Sequence, residues 1–218
     1  MYKRYIILLL AINMSSLYAI LGGVGINGVT DRITFPEKIY TSEIEGIYEV
    51  TRDAIDSPVG GGGFIYITII PFIDFEVSGN FTLAPYKYSS KILVIDDVEE
   101  LELLFGKLTL NISAQYPFFK IPTIRSYLGV GVNQSYYTKI PTVETMTGLN
   151  LGKLDDIEYL KEQFGAENFG YHLEFGARFK PPVIPFSLNA NARYNFVKDF
   201  LPDTESYLTI SLGLAFAI

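Results

Sequence analysis

The sequence predicts an all-β protein, an eight-stranded antiparallel up-and-down transmembrane β-barrel, and three observations lead to this fold. Apolar and polar residues alternate along most of the 218-residue chain, which is the pattern of strands whose two faces meet different surroundings. Hydrophobic residues make up 49% of the chain and charged residues 19%, a small charged share for a surface in water. Short and long connections alternate between the predicted strands, as in barrels that span a membrane.

The strands follow from the alternation itself. Between residues 74 and 83, for example, Phe75 and Val77 alternate with Glu76 and Ser78. An even count is typical of bacterial single-chain outer-membrane barrels, and a count of ten stays open if parts of the loops pair. The eight predicted strands are residues 20–29, 62–70, 74–83, 101–116, 124–139, 169–180, 186–196 and 206–218.

Three predicted connections are short and carry proline, which cannot donate to a strand ladder and so marks strand ends. With both chain ends on the side of these tight turns, the turns are predicted to be periplasmic and the long connections extracellular. The tight turns are residues 71–73, 117–122 and 181–185, and the four long loops are residues 30–58, 87–100, 140–167 and 198–205.

The polar face of the strands separates a membrane barrel from the main alternative, a secreted soluble barrel with an apolar interior. This face is rich in Gly, Ser, Asn and Ala, which suit the crowded inside of a narrow barrel. The opposite face carries Leu, Phe, Ile and Tyr, as expected of a surface against lipid. Aromatic residues near strand ends are predicted to form interfacial girdles: Tyr116, Phe118, Phe119, Phe169, Tyr171, Phe186, Tyr194 and Phe196.

Residues 1–19 are predicted to be a signal peptide and residues 20–218 the barrel domain. Lys3 and Arg4 precede a short apolar run, residues 5–14, and Ala19 offers a small residue for cleavage. A spanning helix needs about 20 apolar residues. The alternative is an N-terminal membrane anchor, because the residues after Ala19 continue the apolar run.

Seven charged or titratable side chains are expected to meet in the lumen. Unpaired charges in a narrow, dry interior are unfavourable, so these groups should pair and fill the barrel. A gated passage or a small-ligand site is the alternative, and a permanently open pore is not expected, because eight strands enclose little more than side chains. The predicted lumen network is Glu76, Lys107, Arg125, His172, Glu174, Arg178 and Arg193.

Several classes of function are disfavoured. A net charge of −7 argues against nucleic-acid binding. The absence of cysteine excludes thiolate metal sites and cysteine nucleophiles, and a single histidine excludes a multi-histidine metal site, so we expect no metal and no cofactor. His172 and Glu174 are two residues apart on one face, about 7 Å along the strand, which is too far for a tight hydrogen bond. The protein is therefore not predicted to be an enzyme.

The long loops hold most of the acidic residues of the chain, including Asp31, and they also hold Arg52. This predicts a negative external face that attracts cations or basic protein partners, although exposed loops are also where charges normally occur. Helical spacing of apolar residues predicts short helices at residues 151–164 and 44–55. Residues 92–95 are expected to sit at the tip of a hairpin that extends beyond the membrane, and Gly60 to Gly63 to enter a strand.

The end of the chain is similar to the C-terminal signal that the barrel assembly machinery recognises in outer-membrane proteins. The residues that carry the likeness are Ser211, Gly213, Phe216 and Ile218, with Ile218 in place of the usual aromatic residue. With the signal peptide and eight strands, residues 20–218 resemble the small OmpA/OmpX-type outer-membrane β-barrels. The resemblance implies export to the bacterial outer membrane, contact with its lipid and folding by the assembly machinery.

Members of that family act as adhesins, envelope stabilisers, resistance factors or lipid-modifying enzymes, so the fold does not decide the function. The sequence favours a structural or surface-interaction role through the acidic loops. The first alternative is a narrow gated channel or transporter for small solutes, and the second is a lipid-modifying barrel enzyme.

Overall fold

A computed structural model describes residues 22–41, 48–70, 72–92, 97–140, 165–201 and 204–217, and every regular element in these ranges is a β-strand. Among these residues no helix is long and apolar enough to cross a membrane. The strands are β1 Gly22–Arg32, β2 Thr34–Phe35, β3 Lys38–Thr41, β4 Tyr48–Arg52, β5 Ile55–Asp56, β6 Val59–Ile70, β7 Ile73–Ile92, β8 Asp97–Lys120, β9 Ile124–Thr138, β10 Gly165–Phe179, β11 Phe186–Leu201 and β12 Thr204–Ala217.

Eight of the described strands close into a ring in which every pair is antiparallel. Their order is β1, β6, β7, β8, β9, β10, β11 and β12, and β12 returns to β1 over the register Gly23↔Ala217 to Arg32↔Leu208. Ring neighbours follow one another along the chain, so the barrel is of the up-and-down type. The predicted eight-stranded fold is confirmed, and the four short strands lie outside the ring.

The barrel is polar inside and apolar outside. On β8, for example, Asn111 and Ser113 are buried in the lumen, while Leu110 and Ile112 are exposed on the exterior. A soluble barrel has the opposite arrangement, with an apolar interior that drives folding in water. The alternation therefore places an apolar wall where a transmembrane barrel meets lipid.

Two strands are much longer than predicted. β7 and β8 pair without interruption from Asp74↔Gln115 to Ile92↔Asp97, so most of the predicted loop 87–100 is strand, as the hairpin prediction implied. The pairing of Leu201 with Thr204 likewise turns most of the predicted loop 198–205 into the ends of β11 and β12.

A small sheet continues beyond the ring at the loop end of the barrel. β4 pairs with β7 from Arg52↔Tyr88 to Tyr48↔Ile92, and β3 pairs with β4. We call the part of β3, β4, β7 and β8 that lies beyond the ring the outer sheet. The helix predicted at residues 44–55 is wrong where the structure describes it, because the free edge of β7 offers Tyr48–Arg52 a ladder to join. The helix predicted at residues 151–164 lies outside the described residues.

The predicted turn at residues 117–122 is also shorter than expected. β8 continues to Lys120, and the register with β9 shifts between Pro117 and Phe119. Such a bulge tolerates proline, because one residue leaves the ladder. The extra residue leaves two successive aromatic side chains, Phe118 and Phe119, exposed on the exterior.

Candidate functional site

Three carboxylates and three guanidinium groups form a chain of ion pairs at the tight-turn end of the lumen. Arg125 pairs with Asp74, Arg178 contacts Asp74 at 3.2 Å and Glu76 at 2.9 Å, and Arg193 contacts Glu76 at 3.3 Å. We call this chain, which also includes Glu174 and Gln115, the inner network.

The far end of the inner network is built in the same way. Arg193 contacts Glu174 at 3.0 Å, and the amide nitrogen of Gln115 donates to Glu174 at 2.7 Å and to Glu76 at 3.3 Å. Acids and bases alternate, so the formal charges of the chain sum to zero. Pairing of this kind offsets the large desolvation penalty of buried charges, which an isolated buried ion would bear in full.

The guanidinium group of Arg178 is also held by aromatic rings. It lies 4.3 Å from the ring centre of Tyr66 and 4.6 Å from that of Tyr127, within the range of cation–π attraction. The ring of Tyr127 lies over Gly176, where an added Cβ would come within 2.3 Å of the ring. With the Tyr127 ring in this position, a residue larger than glycine at position 176 would collide with it.

A second ion pair closes the loop end of the lumen. Lys107 contacts Asp31 at 2.9 Å, and both side chains are almost completely buried. Asp31 also accepts hydrogen bonds from Thr82 at 2.8 Å and Thr209 at 2.6 Å. The assignment of Asp31 to an exposed loop is therefore wrong, because β1 continues past residue 29 and turns this carboxylate inward.

An apolar plug covers the mouth of the barrel beyond this pair. The plug consists of the buried residues Ile33, Phe35 and Ile55. They lie in or next to β2 and β5, which pair with each other. Phe35 packs against Phe105 on β8 with ring centres 5.7 Å apart. Arg52 is buried as well and donates to the carbonyl of Pro36, so it too belongs to the mouth and not to an exposed loop.

Little free volume is left inside the described lumen. Two cavities of about 10 Å³ each lie between the described side chains, and each has room for about one water molecule. Arg193 lines both of them. The side chain of Arg193, held by Glu76 and Glu174, therefore contributes to the walls of both cavities.

His172 lies apart from the inner network. Its Nε2 is 2.9 Å from the hydroxyl oxygen of Ser113, and its Nδ1 has no hydrogen-bond partner among the described residues. A histidine that activates serine needs a third group to orient it. Nothing described occupies that position, and the pair faces the filled lumen.

The predicted lumen residues thus fall into three groups. Glu76, Arg125, Glu174, Arg178 and Arg193 meet in the inner network, whereas Lys107 and His172 each contact other partners. The prediction did not include Asp31, Asp74 and Gln115. Asp74 could have been predicted from the sequence, since it lies two residues from Glu76 on the same strand face. Asp31 and Gln115 lie near strand ends, whose positions the sequence left uncertain.

The residues of the predicted assembly signal lie on the last strand. Phe216 is exposed on the exterior beside Phe186, with ring centres 5.8 Å apart. Gly213 is buried, and an added Cβ would lie 2.7 Å from the carbonyl oxygen of Ile26. Ser211 lines one of the two lumen cavities, and Ile218 lies outside the described residues. Recognition by the assembly machinery stays a prediction.

The outer sheet carries exposed charges on its exterior face. Lys87 on β7 contacts Glu100 at 2.9 Å and Glu102 at 3.3 Å on β8. These two carboxylates raise the pKa of the Lys87 ammonium group by hydrogen bonding. One lysine does not neutralise two glutamates, so this group of three side chains keeps a formal charge of −1.

Comparison with solved structures finds the same kind of fold. Ail of Yersinia pestis, solved in complex with the heparin analogue sucrose octasulfate, is 10% identical, with 90% of this chain and 97% of that chain covered and a TM-score of 0.47. Neisserial surface protein A is 16% identical with the same coverage and a TM-score of 0.45. The N-terminal β-barrel domain of OprF from Pseudomonas aeruginosa is 12% identical, again with 90% and 97% covered, with a TM-score of 0.42.

The resemblance to small outer-membrane barrels that the sequence predicted is confirmed as a likeness of fold. No protein-family model and no curated protein matches the chain. At these identities and scores, the likeness carries no argument about ligands or partners.

Proposed function

We propose that the protein is a barrel of the bacterial outer membrane, exported by its signal peptide, with a structural or surface-interaction role at its loop end. The observation that carries this proposal is the double closure of the lumen. The inner network fills the tight-turn end with ion pairs, and the apolar plug covers the mouth. Because the lumen of such a barrel is filled, the protein acts through its outer surfaces.

The outer sheet is the surface best suited to that work. Its exterior face carries Glu100 and Glu102, whose side chains are 54% and 76% exposed, and a strand ladder holds both in place beyond the ring. Fixed charges on a rigid element attract a partner of opposite charge more effectively than charges on a long loop. The partner that this surface fits is a cation or a basic protein.

Binding of a basic probe tests the interaction role. The probe is oligolysine, added to the purified barrel in detergent at low salt, where exposed charges are least screened. A Glu100→Gln/Glu102→Gln variant should bind it less tightly than the original protein, and the matched control Lys87→Gln should bind it more tightly. Equal binding by all three proteins would remove the outer sheet as the interaction surface.

A narrow channel is the second candidate, and the two lumen cavities favour it. Arg193 lines both of them, so a movement of this one side chain would enlarge both. Planar-bilayer recordings test the idea, with Arg125→Gln and Glu76→Gln as the altered proteins. Stable conductance steps that change in size in these variants would support a channel, and silence of all three proteins would support the filled barrel.

We further propose that the protein is not an enzyme. The proposal is supported by the Ser113–His172 pair, since no carboxylate among the described residues orients the imidazole and the hydroxyl faces the filled lumen. A lipid-hydrolase activity that disappears in a His172→Ala variant, with the barrel still folded, would contradict it.

A further inference from the structure

A groove crosses the exterior of the barrel wall near its loop end. Its volume is about 960 Å³, and side chains of β7, β8, β9 and β10 line it. It lies on the apolar face of these strands and not in the lumen. We call it the wall groove and define it by the lining residues Leu104, Gly106, Leu108, Tyr136, Thr138, Gly165 and Glu167.

The floor of the wall groove is a row of small residues on three neighbouring strands. The backbone amide of Gly106 donates to the hydroxyl oxygen of Thr138 at 2.9 Å, and this hydroxyl donates to the carbonyl of Gly106 at 3.4 Å. Thr138 in turn pairs with Gly165 on β10. A row of small residues between rows of large ones leaves a depression in the wall.

The next row towards the tight turns is bulky and ends in a charge. Phe81 on β7 pairs with Leu108 on β8. Leu108 pairs with Tyr136 on β9, and Tyr136 pairs with Glu167 on β10. On the other side of the floor, Leu104 borders the groove. The wall groove therefore has apolar sides and a carboxylate at its β10 end.

The wall groove runs from the apolar wall to its polar boundary. Barrel strands are tilted by about 40°, so a row across them crosses the wall at a slant. On β8 the exterior becomes charged at Glu102, well beyond Leu108. On β10 it becomes charged at Glu167, in the row of Leu108 itself. The β8 end of the groove thus faces hydrocarbon, and the β10 end reaches the layer where charges are tolerated.

The carboxylate of Glu167 is available to a ligand. Glu167 is exposed, and none of the ion pairs among the described residues includes it. Lys198 lies on β11, on the far side of β10 from the groove. Tyr136, which pairs with Glu167 across the strands, is 41% exposed. A carboxylate beside an aromatic ring attracts an ammonium group, both by charge and through the face of the ring.

We propose that the wall groove binds a single-chain amphiphile with an ammonium head group. Its alkyl chain lies over Gly106 and Thr138, and its ammonium group contacts Glu167. The inference rests on the membrane placement proposed above. From β7 to β10 the groove spans three strand spacings, about 14 Å, which suits one short alkyl chain. A phosphate or carboxylate head would meet the like charge of Glu167, so fatty acids and anionic phospholipids are disfavoured as occupants.

Tryptophan fluorescence tests the site. The chain has no tryptophan, so Tyr136→Trp places one reporter in the groove, and Tyr194→Trp places another on the exterior of β11, away from it. Each protein is reconstituted in uncharged phosphatidylcholine vesicles and titrated with bromododecylammonium or with bromododecanol, whose bromine quenches a nearby tryptophan. We expect the ammonium probe to quench the groove reporter at a lower concentration than the β11 reporter, and the alcohol to show a smaller difference.

The head-group contact is tested at Glu167. In the Tyr136→Trp protein, Glu167→Gln should raise the half-quenching concentration of the ammonium probe by up to about fivefold, the effect of one exposed ion pair. The same change should leave quenching by the alcohol as it was. The control Lys139→Gln, which removes the cation that follows Thr138, should not raise the half-quenching concentration of the ammonium probe.

The floor is tested by filling it. Gly106→Leu should raise the half-quenching concentration of both probes, because the new side chain occupies the place of the alkyl chain. Gly79→Leu is the matched control. At both glycines an added Cβ would lie 3.3 Å from a leucine methyl carbon, but Gly79 does not line the groove. Heat-modifiable gel migration confirms that both variants are folded.

The outcomes separate the two proposals. Equal quenching of the two reporters by the ammonium probe overturns the amphiphile site, as does a Glu167→Gln variant that keeps the preference for ammonium. Gly106→Leu and Gly79→Leu variants with the same quenching overturn it as well. In each of these cases the membrane barrel stands. Failure of brominated phosphatidylcholine to quench either reporter overturns the membrane placement itself.

Discussion

Asp31 on β1 and Lys107 on β8 form a buried ion pair of 2.9 Å across the loop end of the lumen, although their strands are not neighbours in the ring. The pair spans the barrel's interior, so it ties opposite walls together. Lys107 also lies 4.0 Å from the ring centre of Tyr207 on β12. The apolar plug lies directly beyond this ion pair, towards the mouth of the barrel.

Removing one partner of this pair should be more harmful than removing both. Lys107→Met leaves the Asp31 carboxylate buried without a cation, and we expect the free energy of unfolding to fall by about 3 kcal/mol. The double variant Asp31→Asn/Lys107→Met should recover most of that loss. The free energy of unfolding is measured by urea titration, followed by circular dichroism and by the heat-modifiable gel migration of folded barrels. A double variant that is less stable than Lys107→Met would contradict the pairing.

Interior and exterior glycines should differ sharply in their tolerance of alanine. At Gly131 an added Cβ would lie 2.2 Å from the carbonyl oxygen of Ile112 and 2.6 Å from the ring of His172. At Gly63 an added Cβ would lie 3.5 Å from the carbonyl oxygen of Gly25, which is an ordinary contact distance. Gly131→Ala should therefore lower the fraction of folded barrel on refolding into detergent, and Gly63→Ala should leave it unchanged. Equal yields of folded barrel for the two variants would show that the lumen has room for a methyl group at position 131.

The apolar plug should open independently of the ring. Phe35→Ala removes a ring that packs on Phe105, and substitutions of this kind in packed cores lower stability by about 3–5 kcal/mol where the structure cannot collapse around the gap. We expect faster amide hydrogen exchange in β2 and β5 and unchanged exchange in β9 and β10. The same variant should stay silent in planar bilayers, because the inner network still fills the lumen. Conductance on loss of the plug would show that the plug alone seals the barrel.

Tyr86 offers a pH-dependent signal from the outer sheet, beyond the membrane-spanning part of β7. Burial raises the pKa of the Tyr86 phenol to about 12 from its ordinary value of 10.0. The folded state therefore holds this proton more tightly than the unfolded state, so the stability it contributes is complete below pH 10.0 and is lost as the pH rises towards about 12. Ultraviolet titration of tyrosinate absorbance, compared with a Tyr86→Phe variant, should show one phenol fewer in that window. A difference that appears already near pH 10 would place Tyr86 in water.

The sequence was most informative where two faces of a strand meet different surroundings. The alternation of Phe75 and Val77 with Glu76 and Ser78 located β7, because a period of two has only one structural explanation. It was least informative at strand ends. There, residues 44–55 contain apolar residues at a spacing compatible with a helix, and for the described residues Tyr48–Arg52 the free edge of β7 decided in favour of a strand.

The same limit applies to the site. Five of the seven predicted lumen residues meet in the inner network, since charges on the polar face of a narrow barrel must find partners. The pairing itself was not predictable. Arg178 lies on β10, on the far side of the ring from β7, which carries its partners Asp74 and Glu76. Only the closure of the barrel and the stagger of its strands bring these side chains to the same height in the lumen.

By itself, the sequence determined the fold class, the strand faces and the signs of the charges, because these follow from local periodicity and composition. Only the tertiary structure decided that Asp31 faces inward, that Ile33, Phe35 and Ile55 fold over the mouth, and that Phe118 and Phe119 both face outward. Each of these depends on register, which long-range pairing sets and which one residue of slip would reverse.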